Sequence, residues 1–238
     1  MIIILTQCFP PRIGGIENLL ENLSIELSKT NEILVLADQF DKINDSFNDR
    51  KYNHNLVIKR ISGIKFLRKR KKFSVLKKVL SSKKITHIIG DSWKSFELTI
   101  DTINNLSIPT ICLAHGNELI VKKESKKLRV ISTLNKVSHV VSNSNYTLNL
   151  VKKIGITNKN LSYIHPGVQN TIDLNEQTIP SIDGQPIITT LARLEKRKGH
   201  AYILSVIAKL KIEYPNILYI IAGSGVELEN LKRTTNKL

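Results

Sequence analysis

Cysteine is almost missing from this chain. Cys8 and Cys112 are the only two in 238 residues. They lie far apart and form no CxxC, which excludes a disulfide-stapled scaffold and a zinc site of the usual spacing. Aromatic residues make up 5% of the sequence, too thin a supply for the stacking platforms that hold nucleic acid, so no nucleic-acid partner is expected. No apolar run approaches the ~18 residues of a membrane-spanning helix. The first one, Ile2 to Leu5, has no basic stretch ahead of it and is too short for a secretory signal, so the chain reads as cytoplasmic. Neither GxGxxG nor GxxxxGK follows that run, which argues against nicotinamide-dinucleotide enzymes and P-loop NTPases.

Acids are also scarce: Asp+Glu 20 stand against Lys+Arg 36, a net charge of +16. Part of that excess is compositional, because the 34 Ile, 27 Lys and 21 Asn are residues that AT-rich codons encode. The distribution is less easily dismissed. Between Lys59 and Lys84 there are twelve Lys/Arg and no acid. Within this block Phe73, Val75, Leu76, Val79 and Leu80 share one helical face, and Lys71, Lys77, Lys78 and Lys84 share the other. Such a helix can lie on an anionic bilayer, with those four lysines facing it. The competing reading is an ordinary core-facing helix with a solvated basic face.

What is plentiful is alternation. Short apolar runs at Ile2–Leu5, Ile33–Ala37, Leu56–Ile61, His87–Ile89, Thr110–Ala114 and Val137–Val141 have the character of strands buried on both faces. Helix-compatible segments separate them, the clearest being Ile16, Leu19, Leu20, Leu23 and Leu27. This pattern predicts an α/β fold, a doubly wound parallel sheet over residues 1–172. Residues 173–185 lack either period and read as a linker. From 186 to 238 the alternation restarts with strands at Ile187–Leu191 and Ile217–Ile221 and a helix after each, too few strands for a whole domain.

Four loops follow strands, where such sheets bind ligands. Gly14 and Gly15 in PPRIGGIE precede the first helix, where backbone N–H groups can meet a phosphate. Alternatively they are a plain glycine turn. His115 in HGNE ends the strand Thr110–Ala114, in a catalytic or a structural role. Arg193 and Lys198 in ARLEKRKGH sit five apart, so both cations can converge on a diphosphate, or simply be solvated. Gly223 and Gly225 in AGSG repeat the strand–glycine–helix arrangement.

In this order and at these spacings, PPRIGGIE, HGNE, SNSNYT (142–147), HPGVQ (165–169), ARLEKRKGH and AGSGVELENLKR (222–233) resemble glycosyltransferase family 4, retaining enzymes of two-domain GT-B architecture. The branch most resembled is that of the phosphatidylinositol-mannoside mannosyltransferases. The resemblance implies transfer of a hexose, mannose in that branch, from a nucleotide-diphosphate sugar to a lipid-linked or glycan hydroxyl. It implies that His115 hydrogen-bonds the transferred sugar as the catalytic histidine. Gly14, Gly15, Arg193 and Lys198 would bind the donor diphosphate, and Gly223 and Gly225 would border the nucleotide. No metal and no cofactor would be required. The Lys59–Lys84 block adds the expectation that the chain sits peripherally on the inner face of the cell membrane. The family also carries, further along, two glutamates seven residues apart. No such pair follows AGSG, so the expectation is a C-terminally truncated chain, with an incomplete nucleotide-sugar domain at 186–238 and little turnover of its own. The alternative is a non-catalytic basic fragment that binds an anionic membrane surface.

Overall fold

The computed structural model describes residues 1–168 and 183–238. Two compact units emerge, Met1–Gln169 and Asn170–Leu238. Most of the expected linker, and Gln169 of HPGVQ, lie outside the described residues.

The first unit runs β1 (Ile2–Leu5), α1 (Gly15–Ser28), β2 (Ile33–Asp38), α2 (Lys42–Asp49), β3 (Leu56–Ile61), α3 (Lys65–Ser82), β4 (His87–Gly90), α4 (Trp93–Phe96), α5 (Ile100–Asn104), β5 (Thr110–Ala114), α6 (Glu124–Lys136), β6 (His139–Ser142), α7 (Asn145–Ile154) and β7 (Leu161–Tyr163). Its seven strands are ordered β3-β2-β1-β4-β5-β6-β7, and every pair is parallel. Side chains alternate across the sheet. Ile3 and Leu5 join Leu34, Leu36 and Ile88 on one face, under Leu76 of α3. Ile4 joins Val35, Phe9 and Leu20 on the other. Helices cover both faces, which is why the strands read as unbroken apolar runs. The strand order reverses between β1 and β4, and there the carboxyl ends of the strands open a crevice.

Three details differ from the sequence expectation. β6 starts at His139, because Val137 packs into the core at the end of α6 and contributes nothing to the ladder. β7 and α2 carry no signal of the kind that marks the other elements. The third difference corrects the bilayer-helix expectation. In α3, Leu76 is fully buried and Val75, Val79 and Leu80 pack against the core, so its apolar face is already occupied. Lys71, Lys77, Lys78 and Lys84 are exposed, but no free apolar stripe on that face accompanies them.

The second unit contains β8 (Ile187–Leu191), a 3₁₀ turn at Lys196–Lys198, α8 (His200–Leu210), β9 (Leu218–Ala222) and α9 (Leu228–Thr235). β8 and β9 pair in parallel from Ile187↔Leu218 to Leu191↔Ala222. Leu194, Leu204 and Leu231 form its small core, with Tyr219 and Ile221 against them.

Candidate functional site

At the reversal of strand order, the ends of β1, β4 and β5 converge on one buried carboxylate, Asp91. Its Oδ2 accepts from the Thr6 hydroxyl at 2.9 Å and the Gln7 amide at 2.8 Å. Its Oδ1 accepts from the hydroxyls of Ser95 at 2.6 Å and Ser92 at 3.1 Å. Four donors satisfy the charge that burial would otherwise penalise, since charged acceptors gain about 1.5–3 kcal/mol per bond. His115 follows β5 and turns its ring onto the backbone carbonyl of Asp91, with Nε2 3.0 Å away. A carbonyl only accepts, so Nε2 holds a proton, and Nδ1 is the nitrogen turned away from this bond. The His115 amide donates to Glu118 Oε1 at 2.6 Å, and Asn143 Nδ2 reaches the His115 carbonyl at 3.5 Å. Asn143 itself accepts from Thr147 at 2.7 Å, while Ser144 caps α7. The HGNE and SNSNYT segments thus hold one imidazole in place.

The glycine loop is built differently from a bare anion cradle. Glu17, in the first turn of α1, is buried and pairs with Arg12 at 3.0 Å. Its carboxylate folds back over Gly14, where any Cβ would collide with it. A carboxylate at a helix N-terminus is favoured by the dipole, so the chain places an anion of its own beside Gly14. Gly15 is exposed, and a Cβ there would meet nothing within 4 Å, which leaves its backbone open to an incoming group. The base of the loop is pinned by Arg60, which donates to the Pro10 carbonyl, binds Asp49 through Nε at 2.9 Å and lies 5.4 Å from the Phe9 ring centroid.

In the second unit, the loop after β8 carries Arg193, exposed and 3.2 Å from Glu195. Glu195 also accepts from Arg197 at 2.7 Å. That hydrogen bond, helped by the charges of Arg193, Arg197 and Lys198, holds the Glu195 carboxyl below its usual range. Lys198 is exposed at the end of the 3₁₀ turn. His200, buried at the start of α8, bonds the Arg193 carbonyl through Nε2 at 3.1 Å and fixes the backbone beneath the arginine. Gly223 and Gly225 lie directly against that same loop. A Cβ on Gly223 would strike the Ala192 carbonyl, and one on Gly225 would strike Leu194. The Leu194 amide donates to the Ser224 carbonyl at 2.8 Å. Both glycines therefore serve close backbone approach between the two loops, whatever else they border.

Neither cysteine is poised as a nucleophile. Burial pushes the Cys8 thiol up to about 11 against the pull of Arg12, and burial also raises the wholly buried Cys112 thiol well above its usual range. Sequence reasoning singled out His115, Arg193 and the glycines as candidates and passed over Asp91, on which the ends of β1, β4 and β5 converge. The sequence showed only an acid directly after the apolar run Ile88–Gly90, which marks the crevice once the strand order is known.

The family model described as Glycosyltransferase Family 4 matches residues 13–171, and the one described as Glycosyl transferases group 1 matches residues 172–238. A GDP-mannose-dependent alpha-(1-6)-phosphatidylinositol monomannoside mannosyltransferase of Mycolicibacterium smegmatis is 23% identical over all of this chain, which spans 64% of that protein's length. Among solved structures, Anabaena HepE in complex with UDP and glucose superposes with a TM-score of 0.73 at 15% identity, over 100% of this chain and 66% of that one. Sucrose-phosphate synthase from Thermosynechococcus elongatus gives 0.76 at 14% identity, over 99% and 68%. These likenesses identify the α/β architecture as the GT-B type. Taken with the family models, they show that this chain belongs to glycosyltransferase family 4.

Proposed function

We propose that this chain acts in transfer of a hexose from a nucleotide-diphosphate sugar to a hydroxyl of a lipid-linked or glycan acceptor, with the anomeric configuration retained. The observation that carries the reading is His115. Its ring is held on the Asp91 carbonyl through Nε2 at the reversal of strand order, which leaves Nδ1 as the ring nitrogen to meet a sugar hydroxyl. In the first unit, Gly15 offers open backbone to the donor, with Gly14 beside it. In the second, Arg193 and Lys198 bind the diphosphate and neutralise charge as it departs, the contribution that usually dominates such transfers. Lys196 and Arg197 add to the same positive loop, so we assign the electrostatic work to side chains and expect no metal or other cofactor. Gly223 and Gly225 border the nucleotide through the loop they support. We place the protein at the cytoplasmic face of a membrane, where a lipid-linked acceptor is presented.

Calorimetric titration with GDP and UDP, followed by transfer assays with GDP-mannose and UDP-glucose, tests this reading. The expected result is nucleoside-diphosphate binding that Arg193→Met weakens about tenfold or more, the usual weight of a charged phosphate contact. His115→Ala should leave that binding intact and remove transfer. Because the sequence carries no glutamate pair after AGSG, turnover by these 238 residues alone should be slow. Binding indifferent to Arg193→Met would overturn the assignment.

A further inference from the structure

The imidazole at the reversal of strand order takes its orientation from a backbone atom. His115 Nε2 meets the Asp91 carbonyl at 3.0 Å, while the His115 amide is held separately by Glu118 at 2.6 Å. Glu118 therefore fixes where the residue sits, and the carbonyl fixes how the ring turns. A carbonyl belongs to every residue, so its aim depends on what holds the peptide that carries it. At Asp91 the hold is unusually complete. The amide donates to the Leu5 carbonyl of β1 at 3.0 Å. Oδ2 takes the Gln7 amide at 2.8 Å, just past β1, and Oδ1 takes the Ser95 and Ser92 hydroxyls at 2.6 and 3.1 Å, at α4. The Thr6 hydroxyl is a weaker tie, because its one proton is shared between Oδ2 at 2.9 Å and the Cys8 carbonyl at 2.6 Å. One carboxylate thus joins the end of β1 to the start of α4 and clamps the peptide whose carbonyl faces His115.

Helix capping is a poor reason for burying a carboxylate here. Asp91 is 4% exposed, and an acid in such a place survives only when donors surround it. α4 has four residues, too few for a strong dipole, and Trp93 and Phe96 already anchor it in the core at 2% and 0% exposure. We infer that Asp91 is a positioning residue for His115: its side chain aims its own backbone carbonyl at Nε2 and so keeps Nδ1 turned toward the sugar. Asp91 touches no substrate and acts through the histidine alone. The inference rests on the reading of His115 as the group that meets the sugar. A catalytic group misplaced by about 1 Å can lose on the order of a hundredfold in rate, so a buried carboxylate spent on one carbonyl has a return in the reaction.

Proton NMR of the full chain with nitrogen-labelled histidine tests the assignment, and His115→Gln identifies the signal. In the parent the proton on His115 Nε2 should be visible and exchange slowly with water, because the Asp91 carbonyl holds it. Asp91→Ala should speed that exchange about tenfold or more, the weight of one well-made hydrogen bond. It should also cut transfer through kcat and leave nucleoside-diphosphate affinity unchanged. Asp91→Asn should recover most of both losses, since its oxygen still accepts from the Gln7 amide and its NH2 can donate to the serine hydroxyls. Ser95→Ala removes only the 2.6 Å donor and should shift the exchange rate the same way by less. It decides the matter if Asp91→Ala does not fold. A parent ring without a proton on Nε2, or an exchange rate that neither Ser95→Ala nor a folded Asp91→Ala alters, overturns the proposal. So does an Asp91→Ala protein that is weaker in urea yet keeps the slow proton, which would make the carboxylate a structural cap. The proton is read without substrate, so positioning can stand while the transferase reading fails; transfer that survives His115→Gln would sink that reading alone.

Discussion

The two units start from the same sequence device and arrive at different burial. β1 and β8 are both short apolar runs that lead into a glycine-bearing loop and a helix. Yet Ile3 and Ile4 in β1 are 0% exposed, whereas Ile187 and Leu191 in β8 are 46% and 84% exposed. An apolar run specifies an extended, ladder-forming segment, but burial comes from neighbours on both sides and both faces. β1 lies between β2 and β4 beneath helices on either face. Among the described residues, β8 pairs only with β9. The same contrast holds for charge. In the first unit Glu97 joins Lys69 of α3 to Arg129 of α6, residues far apart in the chain. In the second, Glu195 joins Arg193 and Arg197 of its own loop.

The largest expected break in this comparison comes from truncating equivalent strand residues. Ile4→Ala should destabilise the first unit by about 2–5 kcal/mol, since a buried side chain leaves a cavity that the sheet cannot close. The single tryptophan, Trp93, is buried in that unit, so its fluorescence in urea reports the loss directly. Leu191→Ala, on a side chain already in water, should stay within about 0.5 kcal/mol by amide exchange of β8 and β9. Similar costs at both sites would mean that β8 is buried in solution.

Elements whose apolar residues face the core were legible in the sequence. β1, β2, β4 and β5 announce themselves by apolar runs that end up buried, and α1 by Ile16, Leu20, Leu23 and Leu27 against the core. α2 was not, because its outward face is the apolar one and its inward face is Asp45, Asn48 and Asp49. A rule that places apolar residues inside has nothing to say about such a segment. β7 is three residues long at a sheet edge, too short to show a period. His115 and Arg193, one in each unit, could be singled out as candidates because their loops follow recognisable strands. Asp91 could not be separated from any other loop acid until strand order was known. The roles of Gly223 and Gly225 likewise depend on which backbone lies opposite them.

Glu97 supplies a pH-dependent version of the comparison. Partial burial pushes its carboxyl up, but hydrogen bonds and charge from Lys69 and Arg129 outweigh that and hold it below the ordinary 4.5. A carboxylate with a lowered value in the folded state adds stability that is complete above 4.5 and is lost as pH falls through the lower, folded value. Urea midpoints of the first unit should therefore fall more steeply below pH 4.5 in the parent than in Glu97→Gln. Parallel curves for the two proteins would show that the bridge between α3 and α6 contributes nothing.

Glu195 gives the smallest effect and the sharpest sign. Its partners are neighbours in an exposed loop, where ion pairs contribute little to stability, so Glu195→Gln should leave the fold unchanged. Its effect belongs to ligand binding. A carboxylate at Arg193 competes with a diphosphate for the same guanidinium fork and repels it besides. At a fully exposed position that repulsion is heavily screened by water, an effect on the order of threefold in affinity. Glu195→Gln should therefore tighten nucleoside-diphosphate binding about threefold at low ionic strength, and the gain should shrink as salt screens it. Lowering the pH should reproduce the gain in the parent only well below the usual carboxylate range, because Arg197 and its neighbouring cations keep Glu195 ionised. Weaker binding by the glutamine variant would reverse the conclusion: Glu195 would then be the residue that aims Arg193 at the diphosphate, and its negative charge would help donor capture instead of opposing it.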